Sequence, residues 1–472
     1  MGLYRYTASA DNTITNAFRS NLTGRGTGSN MGSADVLEAF YIAGQTSSSS
    51  GLSSEKSRIL INFPFSDIVT DRSASVAVIP ASGTVSWFLK LYNARHASTL
   101  PKKFYMSVHP VSASWQEGSG LDMDEYTDQT YGILSGSNWI VSSLGTNWTN
   151  PGGDYLDIGD PNNTGIGYFV DGTEDFEVDV THMVERFLHG SGSGLARYGF
   201  GVKISGSYET GSQSYYTKKF FARSSEYFFK RPVLEARWDS SRKDSAANFY
   251  LSSALAPSDD NVNTLYLYNY IRGQLTDIPG LTNNVIDVSL HSGSTLNTAP
   301  SGSALKLPAG AGVASDGDTV AVGGRISKGV YTASLVFPAA SSSITTVFPV
   351  WNKSSVQYHT GSGISVNIYG ASNMSPNPSF VSKITNLKAT YSRKENARFR
   401  LYVRDKGWSP TIYTVASTEI ENYIVDNAYY KVFRIVDDLE VIPFGTGSSV
   451  APQGSGSAGS YTRLSYDISG NY

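Results

Sequence analysis

The stretch Phe176-Glu-Val-Asp-Val-Thr-His-Met-Val-Glu-Arg-Phe-Leu-His-Gly190, continued to Trp238, decides how this chain is read. Val180, Met183, Val184, Phe187 and Leu188 recur at the spacing of one apolar helix face. Asp179 or Thr181 can cap the start of that helix, and Gly190 suits its end. On both sides the period falls to two. Phe176, Val178 and Val180 alternate with carboxylates, and Tyr198 to Ile204, Lys219 to Glu226 and Arg231 to Trp238 read as strands. One short helix between strands predicts the closing half of a β-sandwich with a helix plugging one end.

The 472 residues imply two to four domains as a prior. Thirty Tyr, 21 Phe and 46 Gly favour strands and tight turns, so the expected class is all-β. A net charge of −3 offers no basic field for a phosphate backbone, so no nucleic-acid partner is expected. The chain has no cysteine, which excludes disulfides, thiolate zinc and thiol catalysis. No apolar run is long enough to span a membrane, and the opening Met1-Gly-Leu-Tyr-Arg-Tyr6 is no signal peptide. A protein made in a cytoplasm without secretion is expected.

Residues 1–238 read as one unit, with strands at Tyr4 and Tyr6, Arg58 to Phe63, Thr84 to Tyr92 and Lys103 to His109, the last two read as a pair. Asp239 to Ala246 is a polar hinge. Residues 239–370 carry six or seven short strands, among them Thr264 to Tyr270, Gly329 to Phe337 and Thr345 to Trp351, which suggests an Ig-like sandwich. Pro376 and Pro378 mark a second linker, and residues 371–472 form a third β unit of the same small-sandwich kind.

The order Arg58-Ile-Leu-Ile-Asn-Phe63, Trp87-Phe-Leu-Lys-Leu-Tyr92, Ser114-Trp-Gln-Glu117, Asn147-Trp148, Val178-Asp-Val-Thr181 with its helix, Tyr198-Gly-Phe200, Phe221-Ala-Arg-Ser-Ser-Glu226 and Arg231-Pro-Val-Leu-Glu235 resembles the DNRLRE-type module. That is a jelly-roll β-sandwich related to carbohydrate-binding modules, and the resemblance covers about the first half of the chain. The runs Ala397 to Tyr413, Tyr430 to Glu440 and Leu464 to Asn471 look like C-terminal regions of virion structural proteins from tailed bacteriophages. This second resemblance implies an assembled particle, not a reaction.

Candidate chemistry is sparse. Asp122, Asp124, Glu125 and Asp128 are dense enough to hold Ca²⁺ but lack the EF-hand order, so a solvated acidic loop is expected and no cofactor. Glu117 and Glu125 would be the pair to test for glycan hydrolysis. His182 and His189 stand two helical turns apart, too far for one ion. Trp115, Trp139 and Trp148 are the candidate sugar-stacking residues, although packing is the commoner use of such rings. Tyr266, Tyr268 and Tyr270 share one strand face opposite Leu265 and Leu267, which marks a candidate interface. The expected function is therefore a non-enzymatic structural protein of a phage particle (head decoration, neck, tail or baseplate). Its expected partners are other virion proteins and copies of itself. The alternatives are a carbohydrate- or receptor-binding module that recognises a host surface glycan, and a glycan-degrading enzyme on a β scaffold.

Overall fold

The computed structural model describes residues 2–18, 24–47, 51–74, 78–99, 102–121, 136–156, 159–189, 194–206, 208–210, 215–240, 242–254, 256–272, 274–281, 283–292, 302–354, 356–368, 380–392, 395–406, 430–435 and 439–445. Strands dominate, as the composition requires. The chain divides into two compact units, the first running to Ser241 and the second beginning at Arg242.

The first unit holds β1 (Gly2–Thr7), β2 (Ala10–Thr15), β3 (Val36–Ser47), β4 (Gly51–Asn62), β5 (Val85–Leu91), β6 (Phe104–Pro110), β7 (Val141–Ser143), β8 (Thr146–Asn147), β9 (Gly165–Phe169), β10 (Phe176–Asp179), β11 (Phe200–Ile204), β12 (Tyr215–Phe221) and β13 (Val233–Trp238). One sheet runs β1-β13-β5-β10; a second runs β12-β3-β4-β11-β6-β9, with β2 also on β4. Every described pairing in these sheets is antiparallel. The inward residues of both sheets meet in one core. Trp87, Leu89 and Leu234 from the first sheet join Ile59, Ile61, Phe104, Met106, Phe200 and Val202 from the second. This alternation is why the unit is a two-sheet sandwich.

The anticipated helix is present as α2 (Thr181–His189), with Met183, Val184, Phe187 and Leu188 buried. The Asp179 carboxylate accepts the Thr181 N–H at 2.8 Å. A second helix, α1 (Phe65–Ser73), departs from the expectation of a single one. Only Phe65 and Ile68 are buried along it, so its apolar stripe is too thin to register as a period. Its place comes from tertiary contacts. Phe65 lies 4.7 Å from the Phe187 ring, and Arg72 forms a fork with Glu185 at 2.8 and 2.7 Å. The pairing expected between Thr84–Tyr92 and Lys103–His109 is also corrected. β5 pairs with β13 and β10, whereas β6 pairs with β11 and β9, so these neighbours in sequence lie in opposite sheets.

The second unit holds β14 (Phe249–Tyr250), β15 (Val262–Tyr268), β16 (Tyr270–Ile271), β17 (Gln274–Leu275), β18 (Val285–His291), β19 (Ala321–Ser327), β20 (Val330–Val336), β21 (Thr346–Lys353), β22 (Val356–Thr360) and β23 (Ile364–Asn367). Its main sheet runs β14-β23-β21-β18-β19-β20-β15, with β22 on β21. The short β14 pairs in parallel with β23. Leu265, Leu267, Ile286, Val288, Leu290, Tyr331, Leu335 and Trp351 share its core. Two separate ribbons follow: β24 (Phe380–Ile384) with β25 (Leu401–Asp405), and β26 (Tyr430–Arg434) with β27 (Leu439–Gly445).

Candidate functional site

The three candidate tryptophans come together in the first unit. In β4, Ile59 and Ile61 point into the main core while Leu60 points out. Leu60, Ile14 and Val111 then gather Trp139 and Trp148 into a second, smaller core on the outer face of the seven-stranded sheet. Trp115 packs against it and donates its indole N–H to the Tyr198 carbonyl at 2.8 Å. Trp148 donates likewise to Asn138 at 2.8 Å. The Arg58 guanidinium lies 5.2 Å from the Trp139 ring centre and 5.7 Å from that of Tyr155. These rings fasten residues 111–121 and 136–156 onto the sheet. Tyr155 lies flat there because Gly201 has no side chain; a Cβ at that position would overlap the phenol ring.

Polar knots complete the fastening. Asn30 donates to the carbonyls of Glu117 and Ser137, both at 2.7 Å, and accepts the Gly120 N–H at 3.0 Å. Glu117 accepts from Arg223 at 3.0 and 2.8 Å and from the Asp11 N–H at 2.8 Å. Its carboxylate is thus committed to an ion pair. Glu125, its suggested partner, lies outside the described residues, as do Asp122, Asp124 and Asp128. Asp11 is fully buried; its Oδ2 accepts the Arg223 N–H at 2.6 Å and its Oδ1 has no partner. Burial pushes this carboxyl up to about 7; the Arg223 N–H opposes the shift and the nearby Glu117 charge adds to it. His109 is buried too and is held down at about 4, chiefly by burial and then by the Lys203 charge. His182 and His189 sit on α2, and among the described residues no group of three acidic or imidazole side chains has metal-binding geometry.

Sequence reasoning missed the exposed aromatics of this same sheet. In β6, Phe104, Met106 and Val108 face the core, so Tyr105 faces out. It stands opposite Tyr168 of β9, with ring centres 4.6 Å apart and planes tilted by 37°. Tyr105 is 38% exposed, Tyr168 47% and the adjoining Ile166 59%. Strict alternation in Phe104 to Val108 was the available signal.

In the second unit, Leu265 and Leu267 enter the core and leave Tyr266 and Tyr268 half-buried on the other face of β15. The two rings are 6.4 Å apart and nearly parallel, at 26°. They line a groove of about 370 Å³ together with Asp244, Pro349, Trp351, His359 and the turn Gly361-Ser362-Gly363. Tyr270 does not line this groove; it lies on the small β16–β17 ribbon and is 38% exposed. Nothing in the sequence singles out His359 or Trp351 for this position, because β21 and β22 reach the groove only through the curl of the sheet.

The β24–β25 ribbon has a different character. Its register places Ile384 opposite Leu401, and Phe380 and Val403 alternate onto the same face. Lys383, Tyr402, Val381 and Arg404 share the other face. Phe380, Ile384, Leu387, Phe399 and Leu401 are all exposed. In the β26–β27 ribbon Val432 and Val441 are exposed as well. No family model, curated protein or solved structure matches this chain.

Proposed function

We propose that this protein is a structural component of a tailed-bacteriophage virion, acting through protein–protein assembly and catalysing no reaction. The carrying observation is the β24–β25 ribbon, a sheet of only two strands on which Phe380, Ile384 and Leu401 are exposed while Val403 of the same face is buried. Such a ribbon is marginal alone and gains stability when a neighbour covers its apolar face. The partners in this reading are other virion proteins and further copies of the chain. The phage assignment itself rests on the resemblance of the C-terminal runs to virion proteins. The first unit serves in this reading as a jelly roll of the DNRLRE kind, and residues 239–370 as an Ig-like β-sandwich.

The test is to express the full chain beside its double variant Phe399→Ser/Leu401→Ser. Light scattering and co-sedimentation with virion particles are then measured. Assembly of the wild type that the variant loses supports the reading. A wild-type chain that stays monomeric and does not sediment with particles would sink it.

A second reading, recognition of a host surface glycan by the first unit, is favoured by the exposed Tyr105–Tyr168 pair. Aromatic faces of this kind stack on sugar rings. Binding on a glycan array that Tyr168→Ala removes supports it, and an array with no signal retires it.

A further inference from the structure

We propose that the groove of the second unit, between the edge strand β15 and the β21–β22 hairpin, binds a short neutral oligosaccharide. This goes beyond the assembly reading, and it places sugar recognition in a different unit from the Tyr105–Tyr168 pair.

The groove has the right size and shape for a small ligand. Its volume of about 370 Å³ falls within the ~300–1,000 Å³ usual for such pockets. One wall is β15, the end strand of the main sheet. The other is Pro349 and Trp351 of β21, His359 of β22 and the Gly361-Ser362-Gly363 turn. Gly361 keeps that turn close to the wall, since a Cβ there would crowd the Pro349 ring at 2.7 Å.

The lining chemistry narrows the ligand class. Among the described lining residues no lysine or arginine appears, and the Arg242 charge that reaches Tyr266 is opposed there by that of Asp244. The single carboxylate, Asp244, accepts the N–H groups of Ala246 and Tyr266, and among the described lining residues it has no second carboxylate beside it to complete a cation site. What the groove presents is the two phenol rings, 6.4 Å apart and inclined at 26°, with the His359 imidazole; Trp351 closes it from the core side and is itself buried. Burial holds the His359 imidazole below its ordinary pKa, so at neutral pH it is uncharged and presents one donor and one acceptor. Flat apolar faces flanked by uncharged hydrogen-bonding groups match a sugar, whose ring C–H faces are apolar and whose hydroxyls both donate and accept. A protein loop would fill the same space, and the experiment separates the two.

The full chain is titrated with maltotriose, cellotriose and N,N′,N″-triacetylchitotriose, following intrinsic tryptophan fluorescence and heat. The expected result is saturable binding of at least one probe. Tyr268→Ala and His359→Ala weaken it by about tenfold or more, while Tyr268→Phe, which keeps the ring, stays close to wild type. Circular dichroism of each variant separates lost binding from lost folding, and the exposed His359 position serves if Tyr268→Ala fails to fold. Absence of saturable binding by all three probes overturns the proposal. So does binding that Tyr168→Ala removes and both groove variants leave intact, which would instead support the reading of the first unit. Failure here leaves the assembly test untouched, because that test reads the β24–β25 ribbon.

Discussion

The first unit and the C-terminal ribbons are written in the same vocabulary of alternating apolar and polar residues, yet they end in opposite states. In β5, Trp87, Leu89 and Leu91 are fully buried because a facing sheet and two helices close over them. In β24 and β25, Phe380, Ile384 and Leu401 alternate just as regularly and remain exposed. Among the described residues, what differs is the number of layers. Alternation fixes which face is apolar; only a second layer decides whether that face is dry.

The sharpest way to break this contrast is to remove equal chemistry from both regions. Phe187 has no exposure and packs against Phe65 and Phe200. Phe187→Ala is expected to cost ~3–5 kcal/mol, read as a lower urea midpoint for the first unit. Loss of less than ~1 kcal/mol would show that the helix plug contributes little to the sandwich core.

An intermediate effect is expected at Asp11. Its folded pKa, about 7, lies above the ordinary carboxyl value of 3.8. Between those values the native chain holds a proton that the unfolded chain has released. Stability therefore falls as pH rises through that window, and the protonated form's advantage is gone above the folded pKa. Asp11→Asn keeps an acceptor for the Arg223 N–H and removes the titration. The variant should be the more stable chain near pH 8 and show a flatter profile from about pH 4 to about pH 7. Urea titrations across that range check it; parallel profiles for the two chains contradict it.

The smallest effect on the isolated chain belongs to the ribbon. Leu401→Ser removes a side chain that is already 57% exposed, so unfolding free energy should shift by no more than ~0.5 kcal/mol. Self-association measured by sedimentation equilibrium should nevertheless weaken. A large loss of stability in dilute monomer would mean that the ribbon is covered by its own chain.

The sequence revealed some of this directly and concealed the rest for definite reasons. Helix α2 was readable because five apolar residues keep one face over two turns. Helix α1 was not, because its two buried residues make no stripe. Strand positions followed from alternation, but pairing did not. The chain passes between sheets from β5 to β6, and only the core in three dimensions shows that. Trp115, Trp139 and Trp148 stood out as large isolated rings, while the Leu60 platform beneath them was hidden in a strand apolar on both sides. The burial of Lys218 had no signal in the sequence: it is fully buried only because its ammonium finds Asn93, Gly172 and Glu174 to donate to, at 2.5, 2.9 and 2.6 Å.

One sheet of the first unit and the main sheet of the second are each closed by pairing their first strand with their last. Gly2 to Thr7 lies along Trp238 to Val233, and Phe249 and Tyr250 lie along Val366 and Asn367. During synthesis the opening strand of each must wait for its last-made partner, so neither sheet can be completed piecemeal as the ribosome advances. The same seams make the hinge near Ser241 the natural place to graft a foreign domain, since an insertion there would leave both closures undisturbed.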